Sequence, residues 1–595
     1  MAEAHYTDER SVQIVISLLK SYGIENLIVS PGTTNMTFVA SVAHDSFFKL
    51  YSAPDERSAA YMACGMAAES GRPVVLSCTG ATASRNYIPG LTEAFYRKLP
   101  VLAITSTQHI GRVGNLIPQV IDRSQCMRDI VTTSVYLPTV HDADDEWACI
   151  IAANRAISAL FRHGGGPAHI NLTTTYSSNF GIKELPSARM IRYYTLQDEL
   201  PIIPADWRVA VFVGAHMRFT PEQTSALDRF CHHHDAVVFC DWTSNYHGEY
   251  RCDYSLVAVQ QQIAFAENLP DLLIHIGEVS GAYDMYGVLQ SAKRAWRVSP
   301  DGEIRDTFRK LSAVFEMPER EFFCRYAEGT ARIKSGDYRN RCCARVAELR
   351  QCLENGDVLP FSNPWIANKL ASALPLDAVV HLGILNTLRN WDTVGENCGQ
   401  NGYSNTGGFG IDGALSSLLG GALASPDKLH FCVIGDLAFF YDMNVLGNAH
   451  IGSNIRILLV NNGNGTEFRN FCHPAYRFRE EPAGNFIAAA GHYGCKSPDL
   501  IRHYAQDLGF EYLHAWDKDS FIEALPRFSS TDTTEKPMIF EVFTDSEQES
   551  DSLRTTRILK SENHQELRQF ARNVIPSNVR KAILGILHGH RGSKE

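Results

Sequence analysis

Two short stretches decide the predicted fold: residues 435–442, GDLAFFYD, and residues 460–465, VNNGNG. An apolar run, His430–Ile434, leads into the first stretch, and a second, Ile455–Val460, leads into the second. Apolar runs of this length, bounded by turn residues, predict buried strands, and the segment between them has helical character. The sequence therefore predicts a strand–helix–strand unit of a parallel sheet.

Asp436 and Asn462 directly follow these two predicted strands. In open parallel sheets, ligands bind at the edge formed by the carboxyl ends of the strands. An aspartate and an asparagine there supply oxygen ligands of the kind that Mg²⁺ prefers, together with phosphate oxygens. We therefore predict a magnesium and phosphate site at this edge, the plainer alternative being two turn residues after two strands.

A distant stretch, residues 55–65 with the sequence DERSAAYMACG, opens a predicted helix rich in small residues. Glu56 lies at the start of this helix. A carboxylate there can simply be favoured by the helix dipole. The alternative is a catalytic role for the Glu56 carboxylate.

Composition excludes several classes of protein. The 595 residues are 45% hydrophobic and 20% charged, which is typical of a globular protein, and the net charge of −11 does not favour nucleic acid. No apolar stretch is long enough to predict a membrane span, and residues 1–10 show no signal pattern. The 15 cysteines are scattered, which predicts free thiols and a cytoplasmic protein.

Strands and helices alternate along most of the chain. This pattern predicts an α/β protein of three open parallel-sheet domains. We expect the domains at residues 1–182, 183–335 and 336–550, followed by a basic C-terminal appendage over 551–595. The middle domain lacks a Gly-x-Gly-x-x-Gly motif, so we expect a Rossmann-like structural core and no dinucleotide site.

The paired motifs resemble those of thiamin-diphosphate-dependent enzymes, in which Gly-Asp is followed at a distance by Asn-Asn and an upstream glutamate opens a small-residue helix. Residues 404–413, SNTGGFGIDG, resemble the menaquinone-pathway branch, the 2-succinyl-5-enolpyruvyl-6-hydroxy-3-cyclohexene-1-carboxylate synthases. The resemblance covers nearly the whole chain to about residue 550. It implies that the three domains are pyrimidine-binding, central Rossmann-like and diphosphate-binding, with thiamin diphosphate and Mg²⁺ as cofactors.

The resemblance also implies roles for individual residues. Glu56 is the expected partner of the aminopyrimidine ring, and Gln119 is the second expected catalytic residue. Ile411 is the expected apolar wedge beneath the cofactor, and Asp436, Asn462 and the carbonyl of Asn464 are the expected Mg²⁺ ligands. The remaining expected cofactor contacts are Gly408, Phe409, Gly435, Leu437 and Gly465.

The expected substrate contacts depart from that branch. Arginine clamps carboxylates well, and the synthases place several around two anionic substrates. Arg389 is kept, whereas Thr34 and Asn35, residues 106–108 (STQ), and Thr406 replace basic positions. We therefore expect a paralogue that acts on a smaller or less charged substrate.

The predicted activity is decarboxylation of a 2-oxo acid, followed by ligation of the resulting fragment to an acceptor. The alternatives are a simple 2-oxo acid decarboxylase, a true menaquinone-pathway synthase, a flavin-containing enzyme similar to acetolactate synthase, and a non-catalytic thiamin-diphosphate-binding protein. The resemblance further implies a homodimer or homotetramer, with Glu56 and Asp436 of different copies meeting at one cofactor.

Overall fold

The computed structural model of the protein describes residues 5–123, 126–260, 268–328, 337–354, 358–489, 497–532 and 534–559. The chain divides into two compact units. The first unit comprises Met1–Glu199 and Gly302–Glu316, and the second comprises Leu200–Asp301 and Met317–Glu595.

The first unit is built on a parallel six-stranded sheet with strand order β2-β1-β3-β4-β6-β5. Its central strands are fully buried and rich in Val, Ile and Leu, as expected for a parallel sheet covered on both faces. The strands are β1 (Asn26–Val29), β2 (Lys49–Ser52), β3 (Val74–Cys78), β4 (Val101–Thr107), β5 (Thr133–Leu137) and β6 (Ala168–Thr173).

Helices cover both faces of this sheet. One buried cluster joins the first and last helices to the sheet, and a second cluster joins the third and fifth helices to it. The helices are α1 (Arg10–Ser21), α2 (Met36–Ala43), α3 (Glu56–Ser70), α4 (Thr82–Asn86), α5 (Ile88–Tyr96) and α6 (Ala143–Ala159). The first unit also contains the paired parallel strands β7 (Arg192–Thr195) and β13 (Leu311–Glu316).

The second unit begins with five parallel strands in the order β10-β9-β8-β11-β12. These strands are β8 (Val209–Val213), β9 (Val237–Cys240), β10 (Arg251–Cys252), β11 (Leu272–Ile276) and β12 (Arg294–Val298). The associated helices are α7 (Pro221–His234), α8 (Ser255–Ala258), α9 (Tyr283–Leu289), α10 (Glu319–Tyr326) and α11 (Asp337–Glu354).

A further parallel sheet completes the second unit, with the order β15-β14-β16-β17-β19-β18. Its strands are β14 (Val379–Leu382), β15 (Asn401–Tyr403), β16 (His430–Gly435), β17 (Ile455–Asn461), β18 (Glu511–Ala515) and β19 (Met538–Phe543). Its helices are α12 (Asn363–Leu370), α13 (Asn386–Val394), α14 (Ala414–Ala424), α15 (Asp436–Asp442), α16 (Pro482–Ile487), α17 (Leu500–Asp507), α18 (Lys518–Ser529) and α19 (Ser546–Thr556).

The predicted fold class, α/β with three parallel sheets, is confirmed. The predicted domain boundaries at residues 182, 335 and 550 stay predictions, and most of the predicted basic appendage, from residue 560 onward, lies outside the described residues. The cysteines in the described ranges are free thiols. A search of the same ranges finds no helix long and apolar enough to cross a membrane.

Candidate active site

The predicted metal loop forms at the carboxyl ends of β16 and β17, which are neighbouring parallel strands. Asp436 begins α15 and is only 2% exposed. Its Oδ2 accepts a hydrogen bond of 2.6 Å from the backbone nitrogen of Gly463, and its Oδ1 accepts one of 2.9 Å from that of Leu437. The two stretches that decided the predicted fold are therefore joined at one carboxylate.

The loop that follows β17 is held by its own polar groups. The side-chain oxygen of Asn462 accepts a hydrogen bond of 3.2 Å from the backbone nitrogen of Asn464, and the Asn464 amide donates one of 3.1 Å to the Asn462 carbonyl. Gly463 has φ of 74°, which favours glycine. A Cβ at Gly465 would lie 2.8 Å from the carbonyl oxygen of Ala488, so glycine is needed there too.

These oxygens suit a hard divalent cation. Asp436 supplies a carboxylate, and each of its two oxygens accepts a hydrogen bond from a backbone N–H group. Asn462 and Asn464 add uncharged oxygens, the ligands that accompany one carboxylate in Mg²⁺–phosphate sites. The described part of the chain contains no cluster of three or more His, Cys, Asp or Glu that could hold a metal ion.

The Gly-rich segment 404–413 lies in the same unit. Phe409 has φ of 55°, an unusual conformation for a bulky residue, and its ring centroid is 5.4 Å from that of Tyr283. A Cβ at Gly408 would meet no atom within 4 Å, whereas Ile411 packs against the apolar cluster beneath α14. Thr406 is 5% exposed, so its side chain is largely inside the fold.

Arg389, the predicted carboxylate clamp on α13, is already paired with an acid. Its Nη1 lies 2.5 Å from Oε1 of Glu467, and its guanidinium stacks 4.8 Å from the ring centroid of Tyr283. The two charged side chains are only 26% and 12% exposed. Sequence patterns predict no role for Glu467 or Tyr283, although the position of Glu467 just after the metal loop is the one local signal for it.

Glu56 begins α3 in the first unit. The preceding residue, Asp55, caps this helix by accepting a hydrogen bond of 2.8 Å from the backbone nitrogen of Ser58, which leaves the Glu56 carboxylate free of the capping role. Burial raises the pKa of the Cys78 thiol to about 12, and the negative charge of Glu56 adds to that shift.

Gln119 has φ of 65°, and such strained positions often occur at functional sites. A Cβ at Gly80 would lie 3.0 Å from the Gln119 carbonyl oxygen, so the glycine after β3 permits this close approach.

Thr34 and Asn35 are both buried in the first unit. The Asn35 side chain donates 3.0 Å to the carbonyl of Ser30, and the carbonyl of Thr34 accepts a hydrogen bond of 2.7 Å from the Thr174 hydroxyl. Thr34 and Asn35 therefore each make a hydrogen bond within the fold, in addition to the substrate contact predicted for them.

The comparisons with known proteins agree with this architecture. Residues 10–126 match the family model described as "Thiamine pyrophosphate enzyme, N-terminal TPP binding domain". Proteins named 2-succinyl-5-enolpyruvyl-6-hydroxy-3-cyclohexene-1-carboxylate synthase are similar along most of the chain. The one from Bacteroides fragilis is 30% identical over 94% of this chain and 99% of its own length. The one from Phocaeicola vulgatus is 30% identical over 92% and 98%, respectively.

The chain belongs to the thiamin-diphosphate-dependent enzyme family. The relatives named above are synthases, and the chain is a thiamin-diphosphate-dependent enzyme that forms carbon–carbon bonds. Thiamin diphosphate is accordingly its organic cofactor.

Proposed function

We propose that this enzyme decarboxylates a 2-oxo acid and ligates the remaining fragment to a second small molecule, using thiamin diphosphate and Mg²⁺. One observation carries the proposal: the hydrogen bond of 2.6 Å between Asp436 and the backbone of Gly463. It supports a single site built from both motif loops at the carboxyl edge of the sheet, where α/β proteins bind ligands.

Asp436, the side-chain oxygen of Asn462 and the backbone carbonyl of Asn464 would hold Mg²⁺ in this proposal. Bound thiamin diphosphate supplies an electron sink for loss of CO₂ from a 2-oxo acid. The protein's contribution is to hold the diphosphate end through Gly435, Asp436, Leu437 and Gly465, and to support the rings on Ile411 and the backbone of Gly408 and Phe409.

In the first unit, Glu56 would hold a proton against the aminopyrimidine ring, and Gln119 would orient the substrate. The resemblance implies that these residues meet the Asp436 loop of another copy, so the proposal includes a homodimer or homotetramer. Mixing two inactive variants tests this arrangement. Glu56→Gln and Asp436→Ala chains, unfolded and refolded together, should recover about a quarter of the wild-type activity, whereas each alone stays inactive.

The pairing of Arg389 with Glu467 supports a substrate with few negative charges. Glu467 already balances the charge of the guanidinium, so Arg389 attracts a substrate carboxylate less strongly than an unpaired arginine would. The uncharged side chains Thr34, Asn35 and Thr406 add no positive charge. We therefore propose a short 2-oxo acid, with pyruvate as the first to test.

The menaquinone-pathway synthase activity is the second candidate, and the similarity to synthases of that name over 94% of the chain favours it. In that case, other basic side chains must hold the extra carboxylates. Arg477 and Arg479 lie after the metal loop, each stacked on an aromatic ring, at 4.6 Å from Phe478 and 4.2 Å from Tyr476.

A product analysis tests the proposed reaction. The purified protein with thiamin diphosphate and Mg²⁺ is incubated with a panel of 2-oxo acids, with and without aldehyde acceptors, and the products are identified by mass spectrometry. The proposal predicts ligation products that are absent with Glu56→Gln. Aldehydes alone would indicate a simple decarboxylase, and no product from any pair would indicate a non-catalytic binding protein. Visible flavin absorption in the purified protein would support the flavin-containing alternative.

A further inference from the structure

A small, partly open cavity lies in the first unit, on the side of the sheet covered by α4 and α5. Its volume is about 80 Å³. Roughly 10–15 Å³ holds one water molecule, so the cavity has room for a group of several non-hydrogen atoms. Its polar lining comes from Arg85, Tyr87, Thr105, Arg123, Cys126 and His169.

Arg123 is the unusual member of this lining, because it is 6% exposed and its charge is only partly satisfied. Nη2 donates a hydrogen bond of 3.0 Å to the carbonyl oxygen of Ser106. Nε and Nη1 are buried and find no hydrogen-bond partner in the described part of the chain. Burial lowers the pKa of Arg123, and the charge of Arg85 lowers it further, but guanidinium groups stay protonated in proteins.

The charge of Arg123 is not balanced by its neighbours in the described cavity lining, since the histidine among them, His169, is neutral. Its Nε2 lies 2.7 Å from Thr105 Oγ1, and its Nδ1 lies 2.9 Å from Ser134 Oγ and 3.2 Å from Cys126 Sγ. Complete burial lowers the pKa of His169 to about 3, so the ring is neutral. The cavity lining that the structure describes contains no aspartate or glutamate.

A buried charge without a counter-ion is strongly unfavourable, and proteins normally pair it with an opposite charge. Here the guanidinium has two donor atoms without a hydrogen-bond partner in the described part of the chain, a second arginine nearby and a cavity beside it. We propose that this cavity is a binding site for a small oxyanion, whose oxygens accept hydrogen bonds from Nε and Nη1 of Arg123. The site requires only the first unit and is independent of the reaction proposed above.

The size of the cavity limits the ligand to an anion such as a short carboxylate, hydrogencarbonate or phosphate. It adjoins the candidate catalytic residue Gln119 through Gly80. A Cβ at Gly80 would lie 3.0 Å from the Gln119 carbonyl oxygen and 3.3 Å from Arg123 Nη2. An anion held by Arg123 would therefore bind near the strained backbone of Gln119.

Thermal unfolding of the full-length protein tests the site. The midpoint is measured with increasing sodium acetate, sodium hydrogencarbonate or sodium phosphate at one pH, and with sodium chloride added to hold the ionic strength constant. We expect at least one oxyanion to raise the midpoint above that of the sodium chloride control, with an increase that grows with the logarithm of its concentration, as a ligand that binds only the folded state does. Comparison of the three salts shows whether the site prefers a carboxylate, a carbonate or a phosphate. No increase beyond the sodium chloride control with any of them would overturn the proposal.

Three variants test whether the effect arises at Arg123. Arg123→Leu should abolish the oxyanion response, and because it removes an unpaired buried charge, it should unfold at no lower a midpoint than the wild type without oxyanion. Arg128→Leu removes an exposed arginine from the same segment and should respond like the wild type. Arg123→Lys should bind about tenfold or more weakly, since a charge-assisted hydrogen bond is lost. An undiminished response in Arg123→Leu would refute the site.

A second measurement needs no variant. Cys126 lines the cavity, whereas Cys398 is an exposed thiol in the second unit. Peptide-resolved alkylation with iodoacetamide should slow at Cys126, and stay unchanged at Cys398, when the stabilising oxyanion is present at saturation. Equal rates at Cys126 with and without the oxyanion would place the ligand elsewhere and contradict the proposal.

Discussion

Replacing Glu467 by glutamine should free Arg389 to bind a carboxylate of the substrate. In the wild type, the two side chains form an ion pair of 2.5 Å and are 26% and 12% exposed. A substrate carboxylate at Arg389 must compete with Glu467 inside the protein. The uncharged amide of Glu467→Gln removes that competition while nearly preserving shape.

The expected size of the effect follows from the burial of this pair. A hydrogen bond to a charged group contributes about 1.5–3 kcal/mol when desolvated, which is about a 10- to 150-fold change in affinity. The Arg389 side chain is partly exposed, so solvent screens this interaction. The lower value of that range, about 1.5 kcal/mol, therefore applies. We expect the KM for 2-oxoglutarate, which carries a second carboxylate, to fall about tenfold, with little change for pyruvate.

The assay is CO₂ release with each donor over a range of concentrations, at a fixed concentration of acceptor. Glu480→Gln is the matched control, because Glu480 pairs with Arg479 at 3.0 Å but is 81% exposed. Exposed pairs contribute little, so this control should behave like the wild type. Equal changes for both donors, or no change for either, would refute the idea that Glu467 shields Arg389 from anionic substrates. A large loss of kcat with pyruvate would instead place Glu467 in the chemistry.

Three further predictions concern the cofactor site and pH. Asp436→Ala should lose measurable binding of thiamin diphosphate with Mg²⁺ in calorimetry, and wild-type affinity would contradict the metal assignment. Glu56→Gln should bind the cofactor but slow exchange of its C2 proton, followed by NMR, by about 10²–10⁴-fold, whereas an unchanged rate would make Glu56 an ordinary helix-end carboxylate. Burial raises the pKa of Glu549 from its ordinary 4.5 to about 7, so its contribution to stability is present below pH 4.5 and is lost as pH rises through 7. The loss amounts to about 3 kcal/mol, and Glu549→Gln should remove it from denaturant unfolding measured without cofactor, unlike the exposed Glu547→Gln.

The parts of the fold with strong local signals were predicted correctly from the sequence. The predicted strands His430–Ile434 and Ile455–Val460 are found as β16 (His430–Gly435) and β17 (Ile455–Asn461), because continuous apolar runs between turn residues have few alternatives. The predicted strands did not include β2, Lys49–Ser52, which is largely exposed and carries no such run. Edge strands of this kind are fixed by pairing with a neighbour, and the sequence does not encode that pairing locally.

The same distinction applies to the candidate site. The proximity of Asp436 to the Asn462 loop follows from two adjacent strand ends, so local patterns were enough. The partner of Arg389 is 78 residues away along the chain, and the isolation of Arg123 is a property of everything packed around it. Charge pairing between distant segments depends on tertiary structure, so neither could be predicted from the sequence.

A direct competition between donors tests the central claim, that this enzyme joins a short 2-oxo acid fragment to an acceptor. Equal concentrations of pyruvate and 2-oxoglutarate are supplied together with an aldehyde and isochorismate, and the ligation products are quantified by mass spectrometry. The account predicts that products derived from pyruvate dominate. Efficient formation of the adduct of 2-oxoglutarate and isochorismate would contradict it, and would show that basic residues other than Arg389 hold the carboxylates.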